Sequence, residues 1–184
     1  ARNAKVFAMS KKPSSIVGTL AVIKPGARET VYVGRPFVIQ WSTVGTIPSV
    51  RLEYSTAKDE NTPDAWKMIA GSAQNTGAYT WEVPDDISDF AKIRISDVHD
   101  PKVQAASAVP FSIWGRLQIV SPQQGERWIV GTPHEIKWNT YGAIGKVKIL
   151  YSRDQFNRDI QVVEESIANT ERYQWTVPDA ISDH

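Results

Sequence analysis

Apolar and polar residues alternate along most of this chain. Leu20 and Val22, then Phe37, Ile39 and Trp41, then Val50, Leu52 and Tyr54 are separated by residues such as Gln40, Arg51 and Glu53. A period of two is the mark of half-buried strands. The same period runs through Tyr79, Trp81 and Val83, through Ile93 and Ile95 beside Lys92 and Arg94, and through Val109, Phe111 and Ile113. Trp66 to Ile69 fits a short edge strand. Turn residues punctuate these runs at Lys24-Pro25-Gly26, Val33-Gly34, Gly45, Asn61-Thr62-Pro63-Asp64, Asn75-Thr76-Gly77, Pro84-Asp85-Asp86 and Asp100-Pro101. No window has a helical period, although Pro84 to Asp89 has room for one helical turn. The pattern predicts seven short strands over residues 19–114.

The pattern then comes back. Trp41 recurs as Trp138, 97 residues on, and the same offset carries Pro25 onto Pro122, Glu29 onto Glu126, Val50 onto Val147 and Tyr54-Ser55 onto Tyr151-Ser152. Further along the offset slips to 94, where Tyr79-Thr80-Trp81-Glu82-Val83-Pro84-Asp85 matches Tyr173-Gln174-Trp175-Thr176-Val177-Pro178-Asp179. A period of this length means tandem domains, not a solenoid. Seven alternating strands with such turns in the first unit, and the recurrence of the pattern, predict an all-β chain of tandem immunoglobulin-like or fibronectin-III-like β-sandwiches. Residues 1–18 are expected to be the closing strand of a preceding repeat plus a linker, since Lys5-Val6-Phe7-Ala8-Met9 resembles Val109-Pro110-Phe111-Ser112-Ile113. Residues 19–114 form a complete sandwich, and residues 115–184 a second one, truncated before its last strands. The chain therefore reads as a slice of a longer array. Trp114-Gly115-Arg116 is too short to act as a flexible tether, which predicts units set end to end with limited bending.

Composition removes several function classes. With Lys+Arg 21 against Asp+Glu 20 and a net charge of +1, no strong field draws in nucleic acid or an anionic membrane. The absence of Cys excludes a disulfide scaffold, thiolate-held zinc and a Cys nucleophile. Tryptophans on facing strands are expected to fill the volume of the missing inter-sheet disulfide. No apolar run approaches the roughly 18 residues of a membrane-spanning helix. Lys11-Lys12 before Ile16 to Ile23 imitates a signal peptide, but Leu20 to Pro25 reappears as Leu117 to Pro122 and so belongs to the fold. None of the Asn-Thr pairs has the spacing of an N-glycan acceptor. There is no Gly-x-Ser-x-Gly elbow, phosphate-cradling loop or His-Glu-x-x-His pair, and Glu164-Glu165, as strand neighbours, point to opposite faces. No catalytic residue is predicted.

The order Pro122, Gly131, Ile136, Trp138, Val147, Ile149, Tyr151, Ser152, Ile167, Ala168, Tyr173, Trp175, Val177, Pro178 and Asp179, matched by the first repeat, resembles the repeat of the Ser-Thr-rich, glycosylphosphatidylinositol-anchored membrane protein family. That family includes yeast cell-wall glucan-assembly proteins, and similar repeats occur in long bacterial surface proteins. The resemblance implies a β-sandwich, an extracellular place at the cell envelope and no catalytic residues. This chain lacks the Ser/Thr-rich tract and the sequons, so a prokaryotic surface protein is the better expectation.

Residues present in both repeats most simply serve the fold, and Trp41, Trp81, Trp138 and Trp175 are of that kind. Trp66, Trp114 and Trp128 are not repeated: Trp66 aligns with Glu164 and Trp128 with Val31. They are the candidate ligand or interface residues, able to stack on a sugar ring or anchor a protein contact. For Trp114 burial between neighbouring units is expected, and for Trp66 and Trp128 edge packing is the simpler expectation. Asp85, Asp86 and Asp89, with Asp97 and Asp100, are candidate Ca2+ ligands if loops at one end of the sandwich bring their oxygens together, although the spacing matches no dedicated calcium loop and Asp in turns is common. No other cofactor is expected. His99 is expected to be a solvated turn residue and His134, in the place of Phe37, a packed strand residue.

The function these features favour is a non-enzymatic structural repeat of a large exported cell-surface protein, of surface-layer or stalk type. Its expected partners are neighbouring domains of the same chain, with self-association or contact with other envelope proteins. The alternatives are a carbohydrate-binding module that docks the parent protein on wall polysaccharide through Trp66 or Trp128, and an accessory domain of a secreted hydrolase.

Overall fold

A computed structural model describes residues 16–59, 61, 62 and 65–180. The proposed closing strand at residues 5–9 lies outside them. Every regular element is a strand, and no helix is long and apolar enough to cross a membrane among the described residues.

The first unit holds β1 (Thr19–Lys24), β2 (Thr30–Tyr32), β3 (Pro36–Val44), β4 (Ser49–Ser55), β5 (Trp66–Gln74), β6 (Ala78–Glu82), β7 (Ser88–Asp97), β8 (Gln104–Ala106) and β9 (Phe111–Trp114). One sheet runs β1-β3-β6; the other runs β2-β9-β7-β4-β5, with β8 also paired to β7. Among the described residues only β2 and β9 pair in parallel. The sandwich exists because the alternation closes over it: Ile39, Trp41 and Trp81 from the first sheet meet Val50, Leu52, Tyr54, Ala91, Ile93, Ile95, Phe111 and Ile113 from the second, all buried. Trp81 anchors the centre, edge-on to Phe111 at 6.5 Å and tilted against Tyr54 at 5.2 Å.

The structure corrects several expectations. Among its described residues the first unit has nine strands, not seven. β2 and β8 have three residues each, too few to show a period, and they exist by pairing with β9 and β7. Pro84 to Asp89 forms a bend that runs into β7, not a helical turn. Trp41 and Trp81 do not face each other across the sandwich, because β3 and β6 are neighbours in one sheet with Phe37 opposite Trp81. The volume beside Trp81 is filled by Tyr54 and Phe111.

The second unit holds β10 (Arg116–Ser121), β11 (Pro133–Tyr141), β12 (Lys146–Ser152), β13 (Ile160–Ala168) and β14 (Arg172–Thr176), in sheets β10-β11-β14 and β12-β13. Its registers copy the first unit. Leu117 lies opposite Thr140 as Leu20 lies opposite Thr43, and the bulges in β1 and β10 fall at equivalent places, each followed by a cis proline bond, Lys24-Pro25 and Ser121-Pro122. Ser152 pairs with Ile160 as Ser55 pairs with Trp66, and Ile149 with Glu164 as Leu52 pairs with Ala70. The counterpart of Trp66 is therefore Ile160, and Glu164 corresponds to Ala70. Counterparts of β2 and β7–β9 are not found among the described residues. Leu117 and Ile119 are accordingly 45% and 59% exposed, whereas Leu20 is 9% exposed and Val22 packs against the first core.

Candidate functional site

The two units meet where the end of β9 passes through Gly115 into β10, and each unit brings a preformed surface to that place. We call the surface beside the entering strand the head and the Val-Pro-Asp end the tail.

The head is held by one half-buried asparagine. Asn75, in the turn between β5 and β6, accepts the indole N–H of Trp41 at 2.7 Å and donates to the backbone oxygen of Ile47 at 2.8 Å and to Thr43 Oγ1 at 3.0 Å. Asn169 repeats this in the second unit: it accepts from Trp138 at 2.7 Å and donates to Ile144 O at 2.8 Å and Thr140 Oγ1 at 2.9 Å. A side-chain amide is suited to this task because it presents an acceptor and two donors in one plane. The Asn thus ties the buried end of one strand to the loop that follows it. That loop is pressed onto the entering chain by paired glycines. Gly45 (φ +90°) lies against Gly18 and Gly142 (φ +98°) against Gly115, so close that a Cβ on Gly45 or Gly142 would sit 3.1 or 3.2 Å from the opposing Cα. A Cβ on Gly115 would come within 2.9 Å of Ile144 and of Tyr141 O. Glycine is required at Gly142 twice over, by the contact and by the left-handed backbone.

The tail of the first unit is the Pro84–Asp89 bend. Val83 exchanges backbone hydrogen bonds with Gly34 and Arg35. Asp86 is then clamped by Tyr54 Oη at 2.5 Å and Lys67 Nζ at 2.7 Å. Burial alone would raise the Asp86 pKa, but the hydrogen bonds from Lys67 and Tyr54 and the charge of Lys67 outweigh it and hold the carboxyl below its ordinary value. Burial and the acceptor Asp86 in turn push the Tyr54 hydroxyl well above its usual range.

Head and tail touch. Asp85 Oδ1 accepts the backbone N–H of Ala143 at 2.9 Å, and Gly142 lies against Ile87 and Asp85, with 3.2 and 3.3 Å left for an added Cβ. Beside this contact the guanidinium of Arg116 stacks over Tyr141 at 3.3 Å from the ring centre. A shallow depression lined by Thr140, Gly142, Ala143, Ile144, Asn169 and Glu171 adjoins the junction.

The three unrepeated tryptophans do not come together. Trp114 is not buried between the units, as expected, but 49% exposed, its indole N–H donating to Asp89 at 3.0 Å; that bond, with one from Ser112, lowers the Asp89 pKa. Trp66 is half-buried on the outer face of β5, covered by the Arg94 guanidinium at 4.3 Å, which also pairs with Glu53 at 2.9 Å. Trp128 belongs to the second core, stacked on His134 at 4.6 Å and 7° and tilted against Trp175, with its N–H on Glu126. His134 is thus a packed residue. His99 is a solvated turn residue whose backbone N–H caps Asp97.

The acidic candidates separate as well. Asp85, Asp86 and Asp89 lie at the start of β7 and Asp97 and Asp100 at its far end, a ten-residue strand and so about 30 Å away. The expected convergence at one end of the sandwich does not occur, and the described residues contain no group of three or more His, Cys, Asp or Glu able to hold a metal. Glu164 accepts from Tyr173 while Glu165 pairs with Lys148. Asp85, singled out by the sequence as a candidate Ca2+ ligand, is here the acceptor of the Ala143 amide; Asn75 and Asn169 were missed. Their signal was recurrence at the offset of 94 within a turn, where Asn alone needs no further explanation.

This fold defines an immunoglobulin-like β-sandwich. Residues 24–113 match the family model of the Kre9/KNH-like N-terminal Ig-like domain, in agreement with the resemblance to the yeast glucan-assembly proteins. None of the curated proteins matches the chain. Among solved structures it is similar to the fibronectin(III)-like modules of CbhA from Clostridium thermocellum, at 12% identity and a TM-score of 0.32, over 86% of this chain and 79% of that one.

Proposed function

We propose that this chain is a non-enzymatic structural segment of an exported cell-surface protein, in which stacked sandwiches set distance and direction. The observation that carries this reading is the junction. Gly115 gives the linker no slack, the Gly115–Gly142 contact leaves no room for a side chain, and Asp85 fastens the tail of one unit to the Ala143 amide of the next. Fixed geometry is what a spacer or a lattice component requires, and a binding arm does not need it. The Kre9/KNH-like match supports a place at the cell surface. The contacts that occupy Trp66 and Trp128 weigh for spacing over docking on polysaccharide.

Because the chain has no Cys, spin labels can be placed singly at Lys58→Cys and Arg158→Cys, one per unit and both exposed. Pulsed dipolar spectroscopy is expected to give one narrow distance distribution, broadened in Asp85→Ala combined with Gly142→Val. A broad distribution in the otherwise unaltered chain contradicts the reading. Retardation of the chain in a polysaccharide gel would favour the sugar-binding alternative.

A further inference from the structure

Resting on that reading, we infer that the junction is a recurrent one: the head of the first unit accepts the Val-Pro-Asp tail of a further unit, and in solution the occupant is the second unit of another copy of this chain. The argument is continuity with the interface inside the chain, because both halves are present a second time. The receiving half is Gly45-Thr46-Ile47 over Gly18, held by Asn75 with the same bonds that Asn169 makes beneath Gly142-Ala143-Ile144. Within the chain Gly142 is half-buried beside Ile87 and Asp85; its counterpart Gly45 is exposed, as is Thr46, whose amide takes the place of Ala143 N. The donating half is Val177-Pro178-Asp179. Val177 exchanges backbone bonds with Gly131 and Thr132 as Val83 does with Gly34 and Arg35, and the next turn closes alike, from Ala180 N to Pro178 O at 2.8 Å and from Asp86 N to Pro84 O at 2.9 Å. This places the exposed Asp179 where Asp85 stands.

The contact joins two different surfaces, so it does not close on itself and adds units in an open row. It is also weaker than the contact inside the chain. Ala180 replaces Asp86 and removes the clamp from Tyr and Lys, Thr19 and Val44 replace the stacked Arg116 and Tyr141, and the short linker no longer supplies a high effective concentration. The polarity is specific all the same: head meets tail, and neither meets its like.

Trapping tests this. Thr46→Cys and Ala180→Cys, each a single-cysteine full-length chain that keeps Asp179, are mixed and treated with a short bismaleimide. The mixed dimer is expected to exceed its statistical share, twice either like-with-like dimer, by a further factor of roughly five, the excess that about 1 kcal/mol of preferred orientation produces. Adding Asp179→Ala to the Ala180→Cys chain, which removes the acceptor, should return the yields to the statistical ratio. A statistical ratio without that change overturns the inference. The same reagent on a chain carrying both Ile87→Cys and Ala143→Cys separates the two levels. Closure there with no excess in the mixture leaves the stacked chain intact and refutes only the recurrence, whereas failure of both refutes the stacking as well.

Discussion

Replacing Asn75 with Ala should unlock the first unit more than a turn substitution ordinarily does. Trp41 is 3% exposed, and its indole N–H has Asn75 Oδ1 as acceptor at 2.7 Å. Truncation leaves that donor buried without a partner, which costs about 1–3 kcal/mol, and it forfeits the bond to Ile47 O, worth about 0.5–1.5 kcal/mol. The total is about 1.5–4.5 kcal/mol, a large share of a small domain's stability. Urea unfolding read separately for the two units, with two transitions fitted, should show a lower midpoint for the first at unchanged slope. Removing both partners in Trp41→Phe with Asn75→Ala should cost much less than the sum of the single changes, because no orphan donor then remains. A coupling of at least about 1 kcal/mol is expected for residues in such direct contact. A loss below about 0.5 kcal/mol for Asn75→Ala, or additive changes, would refute the view that this amide locks the head.

Four further outcomes follow from the packing and bonds of the first unit. Gly18→Ala puts a Cβ within 2.9 Å of Val44 O and should destabilise the first unit by about 1–3 kcal/mol, visible as a lower melting midpoint. Trp81→Ala should cost about 3–5 kcal/mol, since its indole fills the space between Tyr54 and Phe111. The Asp86 pKa is lower in the folded chain than in the unfolded one, so its contribution is present above the unfolded carboxylate value and lost as pH falls through the folded one. Asp86→Asn should therefore flatten the acid limb of the stability–pH profile below about pH 4. Tyr54 has the opposite sign: its raised pKa contributes fully below about pH 10 and is lost at higher pH, which Tyr54→Phe should abolish.

Much of the fold was legible because alternation survives without context. Val50, Leu52 and Tyr54 or Ile93 and Ile95 can be read as inward residues from their spacing alone, and recurrence of the pattern revealed the tandem. What failed was information carried between distant residues. The slip in offset from 97 to 94 falls in the loop between β4 and β5, where the second unit is three residues shorter. Without a register, Trp66 aligned with Glu164 in place of Ile160. β2 and β8 are made by their partners and carry no period of their own. The acidic residues looked like one cluster because sequence proximity hides the length of β7. Asn75 and Asn169 looked like ordinary turn residues because the bonds that define them reach across 25 to 34 positions. Only the structure shows that both hold the same surface.

The central claim is that two sandwiches are fixed to each other through Gly115 and the Asp85–Ala143 bond. Residual dipolar couplings of the backbone amides, measured on the 184-residue chain in a weakly aligning medium, test it most directly. One alignment tensor is expected to fit the amides of β1–β9 and β10–β14 together, and to split in two in the Asp85→Ala, Gly142→Val chain. Two tensors of different magnitude in the unaltered chain would mean that the units move independently, and the account of a fixed junction would be wrong.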